Sequence, residues 1–160
     1  MSSTDTIDPQ QLHRQQSVAL FNRTWDLLDR GERTPAEDEA MFLAACASLW
    51  HWNQRDDVTS RHRSIGCWQI SRVLAVQSRG LEAMHWARRS MEEAIAAGSD
   101  PFYTGYAHEA VARAASVLGK SELMRRHQTT ARDMAAGVAD EGLRKALQDD
   151  LNTIKARKPL

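Results

Sequence analysis

The sequence predicts an all-α protein of about seven helices, joined by short turns into antiparallel hairpins. Glycine and proline are scarce, with 8 and 4 among 160 residues. No segment alternates apolar and polar residues while being rich in Val, Ile, Tyr or Thr, which is the pattern of a half-buried strand. The glycines and prolines stand mostly where helices are expected to begin and end.

Capping residues mark the first two helices. Asp8 followed by Pro9 predicts a helix start, and Gly31 is the expected stop. The segment 34–37, Thr-Pro-Ala-Glu, has the form of a capping box, so a second helix is expected there. The residues expected to face the core are Val18, Phe21, Trp25 and Leu28 in the first helix, and Met41, Phe42, Ala45, Cys46, Ser48, Leu49 and Trp52 in the second.

Five further helices are expected beyond a polar break at 54–57. A turn is expected at Arg79-Gly80. The segment Gly98-Ser99-Asp100-Pro101 is expected to end the fourth helix and to cap and begin the fifth, and Ser121 is the expected cap of the sixth helix. The expected ranges are about 59–78, 81–97, 101–118 and 121–136, followed by a last helix. The expected buried residues of the fourth and last helices are Met84, Ala87, Met91 and Ile95, and Leu143, Leu147, Leu151 and Ile154.

Charge and cysteine usage narrow the class of protein. The 21 basic and 21 acidic residues cancel, which argues against binding to nucleic acid or an anionic membrane through bulk electrostatics. No apolar run is long enough to span a membrane, and the N-terminus lacks the pattern of a signal peptide. Cys46 and Cys67 lie in apolar helical runs, as structural thiols of a reducing compartment do. We therefore expect a cytoplasmic protein; its many Arg and Ala residues are typical of bacterial chains.

The sequence contains a weak internal repeat. An alignment of the chain with itself pairs Arg72 with Arg113 at an offset of 41. Beyond the following turn the expected offset is 40, which pairs Met84 with Met124. Short helical hairpins often occur as such arrays.

Two segments resemble the helix-turn-helix unit of the tetratricopeptide repeat family. The first has WQISRVLA at 68–75, with small residues following at Ser78 and Ala83. The second has YAHEAVARA at 106–114 and ends at Gly119. The resemblance implies a short α-solenoid of stacked hairpins.

The resemblance covers about residues 59–136, and the first helical pair is a candidate third, degenerate unit. It departs from the family at Met124, where the pattern has Ala, and in its period of about 41 residues against 34. The chain is also similar to uncharacterised bacterial tetratricopeptide-like proteins, which supply no function.

The resemblance also implies a binding groove, because the first helix of each unit lines the concave face in that family. Trp68 and Arg72 would face the groove from one unit, and Tyr106, Glu109 and Arg113 from the next. The two arginines, on helices about 10 Å apart and flanked by Trp68 and Tyr106, could bind a carboxylate and an aromatic or apolar side chain of a peptide. The alternative is that both arginines pair with Glu109 or neighbouring acids and stabilise the stack.

A second candidate surface contains tryptophan. Trp50, His51 and Trp52 cannot all face inward, because consecutive residues diverge by about 100° around a helix. Trp50 or Trp52 is therefore expected at the surface or in an interface, where tryptophan is enriched.

Catalytic and metal-binding patterns are weak. No two of the six histidines are three or four residues apart, as two ligands on one helix would be. His108-Glu109 lacks the second His of a zinc-protease helix, and Gly119-Lys120-Ser121 lacks the upstream glycine and strand of a phosphate loop. We expect no catalytic residues, no bound metal and no cofactor.

The sequence thus favours a non-enzymatic module that binds a protein or peptide. We expect a disordered arm at 1–8, a single helical domain at 9–157 and a loose tail at 158–160. The first alternative is a scaffold that forms a homodimer through Trp50 and Trp52 or through its last helix. The second is an enzyme or metal protein whose site converges from several helices.

Overall fold

The computed structural model describes residues 8–158. That part of the chain consists of seven helices with no strand, which confirms the all-α prediction. It forms two compact units divided between Val58 and Thr59, and the single domain at 9–157 stays a prediction. The expected arm at 1–8 and tail at 158–160 lie outside the described residues, apart from residues 8 and 158. None of the helices described is long and apolar enough to cross a membrane.

The first unit is a hairpin of α1 (Pro9–Leu28) and α2 (Pro35–Asn53). The Asp8 side chain accepts a hydrogen bond from the backbone N–H of Gln10 and so caps α1. The predicted capping box is present, since Thr34 and Glu37 bond reciprocally to each other's backbone N–H. Both starts depend on local bonds, which is why the sequence predicts them.

The predicted buried face of α1 is wrong by about one residue. Ser17, Thr24 and Leu27 are buried, whereas Val18 is 46% exposed. The reason is a close polar contact, in which the Ser48 hydroxyl of α2 donates to the carbonyl of Ser17 over 2.8 Å. Small polar residues therefore set the contact between the two helices. The helix also ends at Leu28, before the predicted stop at Gly31.

The second unit contains two equivalent hairpins and a final helix. The first hairpin is α3 (Ser60–Val76) with α4 (Gly80–Ala96), and the second is α5 (Pro101–Val117) with α6 (Ser121–Ala136). The last helix is α7 (Glu141–Asn152). Helix α5 packs against α3, α4, α6 and α7, so it forms the centre of this unit.

The two hairpins match at an offset of 41 through the turn. Ser78 and Gly119 occupy the same left-handed turn position, with φ of 60° and 69°. The stripe of α4 that is buried also matches that of α6 at this offset; the two stripes are Ala83, Ala87, Ser90 and Ala94, and Met124, Gln128, Ala131 and Ala135. The predicted slip to an offset of 40 is therefore wrong, although Met84 is buried as well.

Three other predictions in this unit are wrong. Leu143, expected to be buried, is 45% exposed, because α7 buries only Leu147 and Leu151. Ile95 is 59% exposed, because the buried stripe of α4 passes through its neighbour Ala94 instead. Ser121 is the first residue of α6 and the cap position is Lys120, whose side chain makes no capping bond. The errors at Ile95 and Ser121 are shifts of one residue, which on a helix is a rotation of about 100°.

Candidate functional site

The candidate site is an ionic network, defined by Trp68 and Arg72 of α3, Tyr106, Glu109 and Arg113 of α5, and Asp150 of α7. Its centre is Glu109, whose side chain has no exposed surface. The Glu109 carboxylate accepts from Trp68 Nε1 at 2.7 Å, from Arg72 Nη1 at 3.2 Å and from Arg113 Nε at 2.7 Å. Desolvating a carboxylate costs several kcal/mol, which only such close pairing offsets.

Asp150 connects α7 to this network. Its carboxylate accepts from Tyr106 Oη at 2.9 Å and forms an ion pair with Arg72 Nη2 at 3.4 Å. Burial raises the pKa of Asp150, and the charge of Arg72 opposes that shift. Burial next to Asp150 also raises the pKa of Tyr106. The phenol therefore stays protonated and donates a hydrogen bond to the Asp150 carboxylate. Two cations and two acids thus balance within the ionic network.

Arg113 also binds the end of α7. Its Nη2 donates to the Asp150 carbonyl at 2.9 Å and to Thr153 Oγ1 at 2.8 Å. The Asp150 carbonyl also accepts from the backbone N–H and the hydroxyl of Thr153, and the partial negative charge at the end of a helix favours the added guanidinium. Arg113 therefore acts as a capping group for α7 as well as a partner of Glu109.

Apolar packing holds α7 at only a few places. Leu147 and Leu151 are its fully buried residues, and Ile154 is buried just beyond its end. Gly105 of α5 makes room for α7, since a Cβ at that position would lie 2.6 Å from Leu147 Cδ2. The close approach needs a residue without a side chain there.

The repeat register explains which residues meet. Residues 68, 109 and 150 are spaced at 41, and they lie on the three helices α3, α5 and α7. The N-cap residues Thr59, Asp100 and Asp140 keep nearly the same spacing. Helix α7 therefore occupies the position of the first helix of a third hairpin.

The structure brings all five predicted groove residues together. It also pairs both arginines with Glu109, which is the alternative that the sequence leaves open. Trp68 and Tyr106 are buried, with their ring centroids 4.7 Å apart in an edge-to-face arrangement. A role in ligand binding stays a prediction. The residue that sequence reasoning misses is Asp150, although its spacing of 41 from Glu109 is visible in the chain.

The two tryptophans of the predicted interface differ in environment. Trp50 is 55% exposed and contacts the rings of His13 and His51 edge-on. Trp52 is half-buried, and the guanidinium of Arg55 lies 3.8 Å from its ring centroid. Trp50 is the more accessible of the two, and its role in an interface stays a prediction.

Histidine and cysteine chemistry is limited by burial. The Nδ1 atoms of His108 and His127 lie 2.8 Å apart, so at least one of the two nitrogens must be unprotonated and accept. Burial lowers the pKa of His108 to about 4. Burial raises the pKa of the Cys67 thiol to about 12, which makes it a poor nucleophile at neutral pH. Within residues 8–158, no group of three or more His, Cys, Asp or Glu side chains could hold a metal ion.

Comparison with known proteins identifies no relative of this chain. The chain matches no family model, no curated protein and no solved structure. The ionic network and the helices that carry it are therefore the basis for a functional argument.

Proposed function

We propose that this chain is a non-enzymatic protein-binding module. The surface of α3 and α5 that contacts α7 binds an acidic amphipathic helix of a partner, which displaces α7. The observation that carries the proposal is how α7 is held. Asp150 lies between Arg72 and Tyr106, while Arg113 binds the carbonyl end of the helix. A partner helix with an acid at the equivalent position would satisfy the same donors.

The balance of forces supports exchange. Most of α5 is buried, whereas α7 buries only Leu147 and Leu151 within its 12 residues. Buried ion pairs add little net stability compared with apolar packing, because the desolvation cost offsets the attraction. An element with few apolar contacts opens at a lower free energy than the rest of the fold. Cys46 and Cys67 form no disulfide, which favours the cytoplasm as the compartment.

The test supplies α7 as a separate peptide. Leu147→Asp in the full chain should release α7, and a fluorescent peptide of residues 139–158 should then bind the variant. The unaltered chain should bind the peptide poorly, because its own α7 competes at an effective concentration in the millimolar range. A peptide carrying Asp150→Asn should bind more weakly than the native peptide.

The matched control is Leu143→Asp, which changes a leucine of the same helix that is 45% exposed. This variant should keep α7 in place and bind no peptide. The proposal fails if the Leu147→Asp variant keeps its helical circular dichroism but does not bind the peptide.

A second candidate function is a homodimeric scaffold. Trp50 and Leu43, which is 57% exposed, lie seven residues apart on α2 and therefore on one side of it. Apolar residues exposed together on a helix favour an interface. Light scattering should then give twice the monomer mass of 18.0 kDa, and Trp50→Gln should return the monomer.

A further inference from the structure

A cleft on the second unit lies between α4 and α6. It has a volume of about 420 Å³, and its apolar lining residues are Met84 and Met91 of α4, Val111 of α5 and Leu123 of α6. Sites for small molecules are mostly apolar and span about 300–1,000 Å³. None of these four residues belongs to the ionic network, so the cleft is independent of the proposed helix exchange.

Each wall of the cleft carries one arginine. Arg88 of α4 and Arg126 of α6 both line it, and both are exposed. Among residues 8–158, no carboxylate lies within ion-pair distance of either guanidinium. Glu92 also lines the cleft, but its carboxylate pairs with Arg89 at 3.8 Å. The two arginines thus leave a positive charge over an apolar surface.

The remaining titratable group of the lining is His127. Its Nδ1 contacts His108, and burial lowers its pKa, so it adds no charge at neutral pH. An occupant that suits this lining has one anionic group for the arginines and an apolar chain for the methionines. Arginine binds carboxylates through paired N–H donors, and methionine adapts to flexible apolar chains.

We propose that the cleft between α4 and α6 binds a linear monocarboxylate, with the carboxylate between Arg88 and Arg126 and the alkyl chain on Met84, Met91 and Leu123. Charge complementarity and the small volume favour this ligand over an acidic peptide. The assignment concerns a small-molecule site and holds whether or not α7 exchanges.

The experiment is an NMR titration of the isotopically labelled full chain with octanoate. Signals of Val111, Leu123 and His127 should shift and saturate. Acetate lacks the alkyl chain and octan-1-ol lacks the negative charge. Each should therefore bind at least about ten-fold more weakly than octanoate, because it loses either the apolar or the ionic contribution to binding.

Arginine variants test the charged part of the cleft. Arg88→Gln and Arg126→Gln should each weaken octanoate binding about two- to five-fold, the effect of losing one exposed ion pair. Arg125→Gln is the matched control, because Arg125 is exposed and adjacent on α6 but does not line the cleft. It should leave binding unchanged.

Four results would overturn the proposal. The first is an absence of saturable shifts with octanoate. The second is equal binding of octanoate and octan-1-ol, which would indicate apolar adsorption alone. The third is an equal loss in Arg125→Gln, which would indicate bulk charge. The fourth is saturation of the same signals by an acidic peptide while octanoate has no effect.

Discussion

The sharpest test of the ionic network is Glu109→Gln. Glutamine keeps the size of the side chain and an oxygen that can accept from Trp68 Nε1, but it removes the charge beside two guanidinium groups. Arg72 then keeps one carboxylate partner, Asp150, whereas Arg113 keeps the Asp150 carbonyl and Thr153 Oγ1, which are neutral acceptors. Removing one partner of a buried ion pair costs about 3–5 kcal/mol, because the remaining charge is left without compensation. Glu109 is fully buried, so a cost within this range is expected without a reduction for solvent screening.

Urea denaturation followed by circular dichroism measures this cost. With a urea dependence of about 2 kcal/mol per molar, the midpoint should fall by about 1.5–2.5 M. The matched control is Glu82→Gln on α4, which removes an exposed ion pair with the N-cap residue Arg79 and should cost less than about 1 kcal/mol. If Glu109→Gln costs no more than Glu82→Gln, water reaches the ionic network and its charges do not depend on one another.

Three further predictions test other parts of the fold. Ser78→Gly should stabilise the chain by about 1 kcal/mol in urea denaturation, because Ser78 has a φ of 60° that costs other residues energy but not glycine; an unchanged midpoint would contradict this. Gly105→Ala should destabilise it by about 1–3 kcal/mol, since the added Cβ would lie 2.6 Å from Leu147 Cδ2 in a packed region; a neutral effect would show that α7 shifts freely. The pKa of His108 is lowered to about 4 in the folded chain, against 6.5 for an ordinary histidine, so protonation favours unfolding. The contribution of neutral His108 to the free energy of unfolding should be complete above pH 6.5 and decrease as the pH falls towards 4. The decrease should be smaller in His108→Gln, and equal pH profiles of the two proteins would refute this prediction.

Helix starts and the hairpin repeat could be predicted because they depend on local chemistry. The capping box at Thr34 and Glu37 and the cap at Asp100 each join residues two or three apart. The turns at Ser78 and Gly119 are likewise set by a few residues around each. Such bonds form within one helical turn, whatever the rest of the chain does.

Buried faces were harder to predict, since they depend on which helix approaches from which side. The pattern in α1 favours Val18, but the contact with Ser48 turns Ser17 inward. In α4 the pattern favours Ile95, yet Ala94 is the buried residue. Small residues at close helix contacts carry little hydrophobic signal, so periodicity misses them.

The residues of the candidate site could likewise be predicted only in part. The repeat register is visible in the chain and brings Trp68, Arg72, Tyr106, Glu109 and Arg113 to one region. The apolar stripe of α7 predicts Leu147 and Leu151 as buried but says nothing of an acid on the same helix. A charged residue at the surface and one in a buried ion pair look identical in a sequence, because only the partner distinguishes them.

By itself, the sequence determined the class of fold, the places where most helices begin and the equivalence of Arg72 with Arg113. These properties follow from capping bonds and helical spacing, which operate over a few residues. Only the tertiary structure decided that Arg72 contacts Glu109 and Asp150 and that Arg113 binds the end of α7, because these contacts join separate helices. The balanced charge of the chain is thus partly internal: two of its arginines and two of its acids are matched inside the fold, where desolvation makes each depend on the others.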